Sequence, residues 1–183
     1  MADALRRSVL ALPLMAAIPA TAAEPDAWSF RFPALEGGEH DLAAWRGRVL
    51  LVVNTASFCG YTPQYAALQR LHDRYQGRGL VVLGVPSNDF NQEAGSNQEV
   101  KAFCDAQFGI DFPMAAISHV RGAQAHPFFR WAAARGGGEP RWNFHKYLVA
   151  RDGRAVRGFA TRVTPDSIEM TRAIESALSA PGA

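Results

Sequence analysis

The sequence predicts an α/β protein: a mixed sheet with helices on both faces. Three observations carry this. VLLVVNT (Val49 to Thr55) and LVVLGV (Leu80 to Val85) are continuous β-rich runs with apolar residues in both alternating sets, the pattern of strands covered on two sides. Between them, Leu68, Leu71 and Tyr75 recur at helical spacing, so strand, helix and strand form a right-handed βαβ unit. Further on, HKYLVA and AVRGFA flank Asp152-Gly153, a hairpin signal.

The remaining elements follow in order. WSFRF (Trp28 to Phe32) alternates like a strand, Gly37-Gly38 offers a turn, and DLAAWRGR reads as a short connection. Thr62-Pro63 reads as an N-cap with proline at the first helical position, and Gly77 and Gly79 end that helix. Ser96-Asn97-Gln98-Glu99 is a capping box opening a helix over 96–107, with Val100, Phe103 and Cys104 as its apolar stripe. HPFFRWAAAR (His126 to Arg135) forms another helix. Thr164-Pro165-Asp166-Ser167 caps a last one running through Ile168 and Ile174 to about Leu178. Hairpin, βαβ, two helices, hairpin and helix, with no dividing linker, make one thioredoxin-like α/β sandwich.

The chain has 183 residues, enough for one domain with a full core. Nineteen basic and seventeen acidic side chains leave a formal charge of +2, which gives no electrostatic case for nucleic acid or an anionic membrane. Residues 1–23 differ in character. MADALRR carries two arginines, SVLALPLMAAIPA has no charge, and Ala20-Thr21-Ala22 follows a small-x-small pattern. This reads as a cleaved secretory signal, too short in its apolar part to span a bilayer, with the domain over 24–183 and a periplasmic or secreted location. In an oxidising compartment two cysteines commonly pair.

Cys59, in NTASFCGYTPQ, stands between the first buried strand and the next helix. Reactive groups gather at that carboxyl edge of an α/β sheet, and a helix N-terminus favours an anion, here a thiolate. Lowering a cysteine pKa by about two units from ~8.5 raises the thiolate fraction at pH 7 from about 3% to roughly three-quarters. Two hydrogen bonds from neutral donors, at ~1.5–3 kcal/mol each, suffice for that before desolvation is subtracted. Gln92 in PSNDFNQEAG and Trp142 and Asn143 in RWNFHK, near other strand ends, are uncharged donors of this kind.

These four segments resemble the glutathione peroxidase family. NTASFCGYTPQ is similar to its peroxidatic motif, PSNDFNQEAG to its glutamine loop, FCDAQFGIDFPM to its next helix and strand, and WNFHKYLV to its Trp-Asn motif. The resemblance implies a thioredoxin-like fold, Cys59 as nucleophile, and Gln92, Trp142 and Asn143 as the rest of a catalytic tetrad, with no cofactor and no metal. Cysteine in place of selenocysteine implies slower chemistry and the same reaction. The glutamine loop is one residue shorter than usual and has Ala94 for a proline, which leaves Asn91 as a rival amide to Gln92. Ser87 stands where many members have a cysteine, so Cys104 is the sulfur left to resolve a Cys59 sulfenic acid as a disulfide. The type implied is thioredoxin-dependent: a peroxide substrate, a thioredoxin-like dithiol or glutathione as reductant, and, given the short loop before Trp142, a monomer with an open site.

The same residues admit other readings. Cys59 and Cys104 form a permanent disulfide in one; closing a loop of roughly 45 residues would contribute about 4 kcal/mol. In others the protein is a peroxide-sensing redox relay, a disulfide exchanger or a copper-delivery module. The last two normally need a C-x-x-C or C-x-x-x-C pair, and after Cys59 the chain offers Gly60, Tyr61, Thr62 and Pro63 instead. His40, His72, His119, His126 and His145 show no metal-ligand spacing.

Overall fold

The structure, a computed structural model, describes residues 24–181; the predicted signal sequence lies outside the described residues. Strands β1 (Arg31–Pro33) and β2 (Glu39–Asp41) form a two-stranded antiparallel hairpin. The main sheet contains β3 (Val49–Thr55), β4 (Leu80–Pro86), β5 (Lys146–Val149) and β6 (Val156–Phe159) in the order β4-β3-β5-β6. β3 and β4 are parallel, Val49 opposite Leu80 and Thr55 opposite Pro86; β5 and β6 run antiparallel to their neighbours. The helices are α1 (Gln64–Tyr75), α2 (Asn97–Phe108), α3 (Pro127–Gly136) and α4 (Ile168–Ser179). This is the predicted mixed sheet with helices on both faces.

Alternation along the strands divides the core into two layers. Val49, Leu51 and Val53 face Leu68 and Leu71 of α1, Val100 of α2 and Ile174 of α4. Leu50 and Val52 face Phe128, Phe129 and Trp131 of α3, with Phe32 of the hairpin. Every residue of β3 and β4 is buried, as expected of strands read as continuous apolar runs.

Two elements differ from the sequence prediction. Ala27–Ser29 is a 3-10 turn, not the start of a strand, because the Asp26 carboxylate accepts the Trp28 N–H and Ala27 N–H bonds the Gly153 carbonyl. Helix α1 starts at Gln64 without a side-chain cap from Thr62, whose hydroxyl is engaged in the Cys59 turn. The Ser96 cap of α2 forms as predicted, accepting the Glu99 N–H, and α2 ends on Gly109 at φ 58°.

The outer edge of β4 is not bare. Gly84 pairs with Met114, donating to the Pro113 carbonyl and accepting from Ala115 N–H. A Cβ at Gly84 would stand 2.3 Å from Met114 Sδ and 3.2 Å from a Phe112 ring carbon, so a side chain here would have to displace the Met114 thioether.

Phe128 is wholly buried and Ile168 is 72% exposed. Phe128→Ala is expected to destabilise the fold by about 3–5 kcal/mol and Ile168→Ala by no more than about 0.5 kcal/mol, read from urea unfolding.

Candidate active site

β3 delivers Cys59 to the carboxyl edge of the sheet, and a series of turns holds it ahead of α1. The Thr62 hydroxyl accepts the Cys59 N–H at 3.0 Å and donates to the Ala56 carbonyl at 2.9 Å, while Thr62 N–H returns to the Cys59 carbonyl at 3.0 Å. The thiol is 7% exposed, and the Tyr61 N–H points at Sγ from 3.4 Å. A backbone donor therefore reaches the sulfur from the turn itself, a stabilising contact for a thiolate. Phe58 and Tyr61, on either side of Cys59 in the same turn, and Trp142, beside Asn143, are exposed large apolar side chains.

The glutamine loop is tied to the cysteine loop by two bonds. Phe58 N–H donates to the Gln92 carbonyl at 2.9 Å, and Ser57 N–H to Glu93 Oε1 at 3.0 Å. The Gln92 side chain meets the second predicted amide: Asn143 Nδ2 donates to Gln92 Oε1 at 2.9 Å. Asn91 sits in the left-handed region at φ 56°, and Gln92, not Asn91, is the amide that pairs with Asn143. The Trp142 ring tilts against Phe90 with centroids 5.3 Å apart. Among the described residues, no hydrogen bond joins Cys59 Sγ to Gln92, Trp142 or Asn143; the donor at the sulfur is Tyr61 N–H.

Sequence reasoning missed the residues that hold this loop. Asn54, wholly buried on β3, donates from Nδ2 to the Trp142 carbonyl (3.2 Å) and accepts the His145 N–H at Oδ1 (2.9 Å). Its own carbonyl takes the Phe144 N–H at 2.6 Å, and Phe144 is held at φ 60°. A bulky residue there is strained, and such strain collects at functional sites. Behind Asn143, Thr161 Oγ1 donates to the Asn143 carbonyl at 2.7 Å. Lys146 is buried and donates from Nζ to Gln64 Oε1 (2.6 Å), Val163 O (2.7 Å) and Thr161 O (3.3 Å). Burial pulls Lys146 down to about 7, against which three oxygens match the three N–H groups of an ammonium. Burial, then the charge of Lys146, pulls His145 to about 4. The available signal was a polar residue inside an apolar strand run, as at Asn54 and Lys146.

Beside Trp142 lies a cleft of about 650 Å³ lined by His145, Arg121, Arg141 and Arg162, with Glu139 as its one carboxylate. None of these three arginines is ion-paired among the described residues.

Cys104 lies on α2, 1% exposed, and both cysteines are free thiols. They belong to the same packed cluster, together with Tyr65 and Ala94. Burial pushes the Cys104 thiol up to about 11; nearby Tyr65 opposes this, and the charges of Glu93 and Asp105 add to it.

A thiol at the first strand-to-helix turn of this sheet, on a loop bonded to the one whose Gln92 meets Asn143, is the arrangement of a thioredoxin-fold thiol peroxidase. The glutathione peroxidase family model matches residues 27–133, and the chain belongs to that family. It is 42% identical over 152 residues to the hydroperoxy fatty acid reductase gpx1 of Synechocystis, covering 77% of this chain and 90% of that protein. The crystal structure of Trgpx in apo form superposes with a TM-score of 0.70 at 29% identity, covering 87% of this chain and 99% of that one. A thioredoxin-family thiol:disulfide interchange protein from Chlorobium tepidum shares the fold, with a TM-score of 0.64 at 20% identity over 87% of this chain and 100% of that one.

Because the folded Cys104 thiol titrates near 11 and an unfolded one near 9, its contribution is present below pH 9 and is lost as pH rises through about 11. Urea unfolding of the reduced protein between pH 8 and 11 is expected to show a loss of about 2 kcal/mol that Cys104→Ser lacks.

Proposed function

We propose that this thiol peroxidase reduces hydrogen peroxide and organic hydroperoxides in a two-cysteine cycle. The Cys59 thiolate attacks one peroxide oxygen; the O–O bond breaks, sulfur becomes a sulfenic acid, and the other oxygen leaves with a proton as water or an alcohol. Gln92, Trp142 and Asn143 supply neutral donors for the thiolate and the leaving oxygen once peroxide enters. Cys104 then attacks the Cys59 sulfur, forming the disulfide and releasing water, and a dithiol restores both thiols by exchange. The observation that carries this reading is the convergence at one sheet edge of Cys59, with a backbone N–H on its sulfur, and the Gln92–Asn143 pair.

Helix α2, which ends on Gly109, must loosen to bring Cys104 across. The exposed Phe58, Tyr61 and Trp142 suit the face of a thioredoxin-like protein and an apolar hydroperoxide chain; the arginine-lined cleft suits an anionic head or the carboxylates of glutathione. The relative named a hydroperoxy fatty acid reductase supports organic hydroperoxides as substrates. The protein acts as an exported monomer, a reading supported by the basic, apolar and small-residue order of residues 1–23 and by the short loop before Trp142.

Stopped-flow oxidation of the reduced protein by hydrogen peroxide tests the cycle. Cys59→Ser is expected to react no faster than background, and Cys104→Ser to consume one equivalent and stop at a trappable sulfenic acid. Asn143→Ala is expected to slow the first step by about 10²-fold, the loss typical of one preorganised donor. Oxidation of Cys59→Ser at the wild-type rate would refute the assignment.

A further inference from the structure

A closed ring of hydrogen bonds runs from one flank of Cys59 to the other. On one side the Tyr61 N–H points at Sγ from 3.4 Å, and the Tyr61 carbonyl accepts the Gln64 N–H at 2.9 Å. The Gln64 side chain then reaches from the start of α1 to the loop after β6, donating from Nε2 to the Thr161 carbonyl at 2.9 Å. Thr161 Oγ1 donates to the Asn143 carbonyl at 2.7 Å, and Asn143 Nδ2 donates to Gln92 Oε1 at 2.9 Å. The Gln92 carbonyl accepts the Phe58 N–H at 2.9 Å, which returns the ring to the residue before Cys59.

Gln64 and Thr161 are the links of this ring that the proposed cycle leaves without a task. Gln64 is buried at the first position of α1, where an apolar side chain would serve packing alone. A buried amide is costly unless both of its ends are bonded, and here both are. Lys146 Nζ donates to Gln64 Oε1 at 2.6 Å, so the oxygen of the amide faces the lysine and its NH2 faces the Thr161 carbonyl. Turning the amide over would set its NH2 against another donor. Lys146 Nζ also donates to the Thr161 carbonyl at 3.3 Å and the Val163 carbonyl at 2.7 Å, holding the loop after β6 from a second side. The amide is thereby left with one orientation and the Thr161 backbone with one place.

We propose that Gln64 and Thr161 are positioning residues for the oxidation of Cys59: they fasten the turn that carries the backbone donor at the sulfur to the segment that carries the Asn143 amide, so that the two are set as one unit. The proposal rests on the reading above that peroxide oxidises Cys59 with Asn143 as a donor. Gln64 acts through Tyr61 and Thr161, and Thr161 acts through Asn143. Donors fixed in advance stabilise a developing charge without having to reorganise as it forms. Loop segments are otherwise the mobile parts of a fold. In a closed ring, Asn143 shifts only if a bond elsewhere in the ring opens or the whole ring moves with it. No member of the ring belongs to α2, so the loosening of that helix, which the later disulfide step needs, leaves the ring closed.

Thr161→Val keeps the side-chain shape and the backbone carbonyl and removes the hydroxyl donor; Thr161→Ser keeps that donor. Gln64→Leu removes the link from α1. Stopped-flow oxidation of the reduced proteins by hydrogen peroxide follows the first step, and urea unfolding establishes that each variant is folded. Thr161→Val and Gln64→Leu are each expected to slow the step about 10-fold, within the ~10²-fold that misplacing a reacting group by about 1 Å costs. Thr161→Ser is expected to restore the wild-type rate, which a loss through packing alone would not predict. In an Asn143→Ala background, Thr161→Val is expected to cause no further loss, because the group it positions is gone. Each of the two variants decides the matter if the other does not fold. A wild-type rate in either folded variant, or an equal loss from Thr161→Val with and without Asn143, overturns the proposal while leaving Asn143 as a donor. An Asn143→Ala protein that reacts at the wild-type rate overturns the reading of Asn143 itself, and this proposal with it.

Discussion

The site depends on one buried amide. Asn54 stands one residue before the end of the strand that leads to Cys59, and its side chain and backbone bind the Trp142, Phe144 and His145 main chain. These bonds fix where Trp142 and Asn143 stand relative to the cysteine turn, although the two segments lie almost ninety residues apart. They also account for the left-handed Phe144: the backbone is held there by bonds on both sides, more than one of which must break before it relaxes. In a dry interior each of these groups would carry a desolvation penalty of about 1–3 kcal/mol if left single, so the arrangement is cooperative.

Around this amide the protein keeps its cationic groups away from the nucleophile's loop, while the Glu93 carboxylate is bonded to that loop through Ser57 N–H. Lys146 points away into a cage of oxygens from Gln64, Thr161 and Val163, joining the start of α1 to the loop after β6. His145 is held neutral at ordinary pH by burial and by Lys146. The donor at the thiol is the uncharged Tyr61 backbone N–H, and the Gln92–Asn143 amide pair sits where the glutamine loop is bonded to the cysteine turn through Phe58.

Much of this was legible in the residues. The apolar runs of β3 and β4, the Ser96 cap and the Asp152-Gly153 turn are local signals, and each element formed where its signal stood. Gln92 and Asn143 were legible as candidate amides because their segments follow or precede strands, and the fold brings the two together. What escaped was non-local. Thr62 looks like a helix cap until the Cys59 N–H and Ala56 carbonyl compete for its hydroxyl. Trp28 looks like part of a strand until Asp26 and Gly153 turn the chain. Asn54, Lys146 and Glu93 carry no spacing rule, since their partners come from distant segments, and only the oddity of a polar residue among buried ones marks them.

The short strap at Pro113–Ala115 has a meaning for the protein in a crowded cell. By occupying Gly84 it denies the outer rim of β4 to passing chains, where an uncovered strand is a template for aggregation. A Cβ at position 84 would stand 2.3 Å from Met114 Sδ, so even one added methyl, remote from the chemistry, would have to displace that thioether from beside the covered rim.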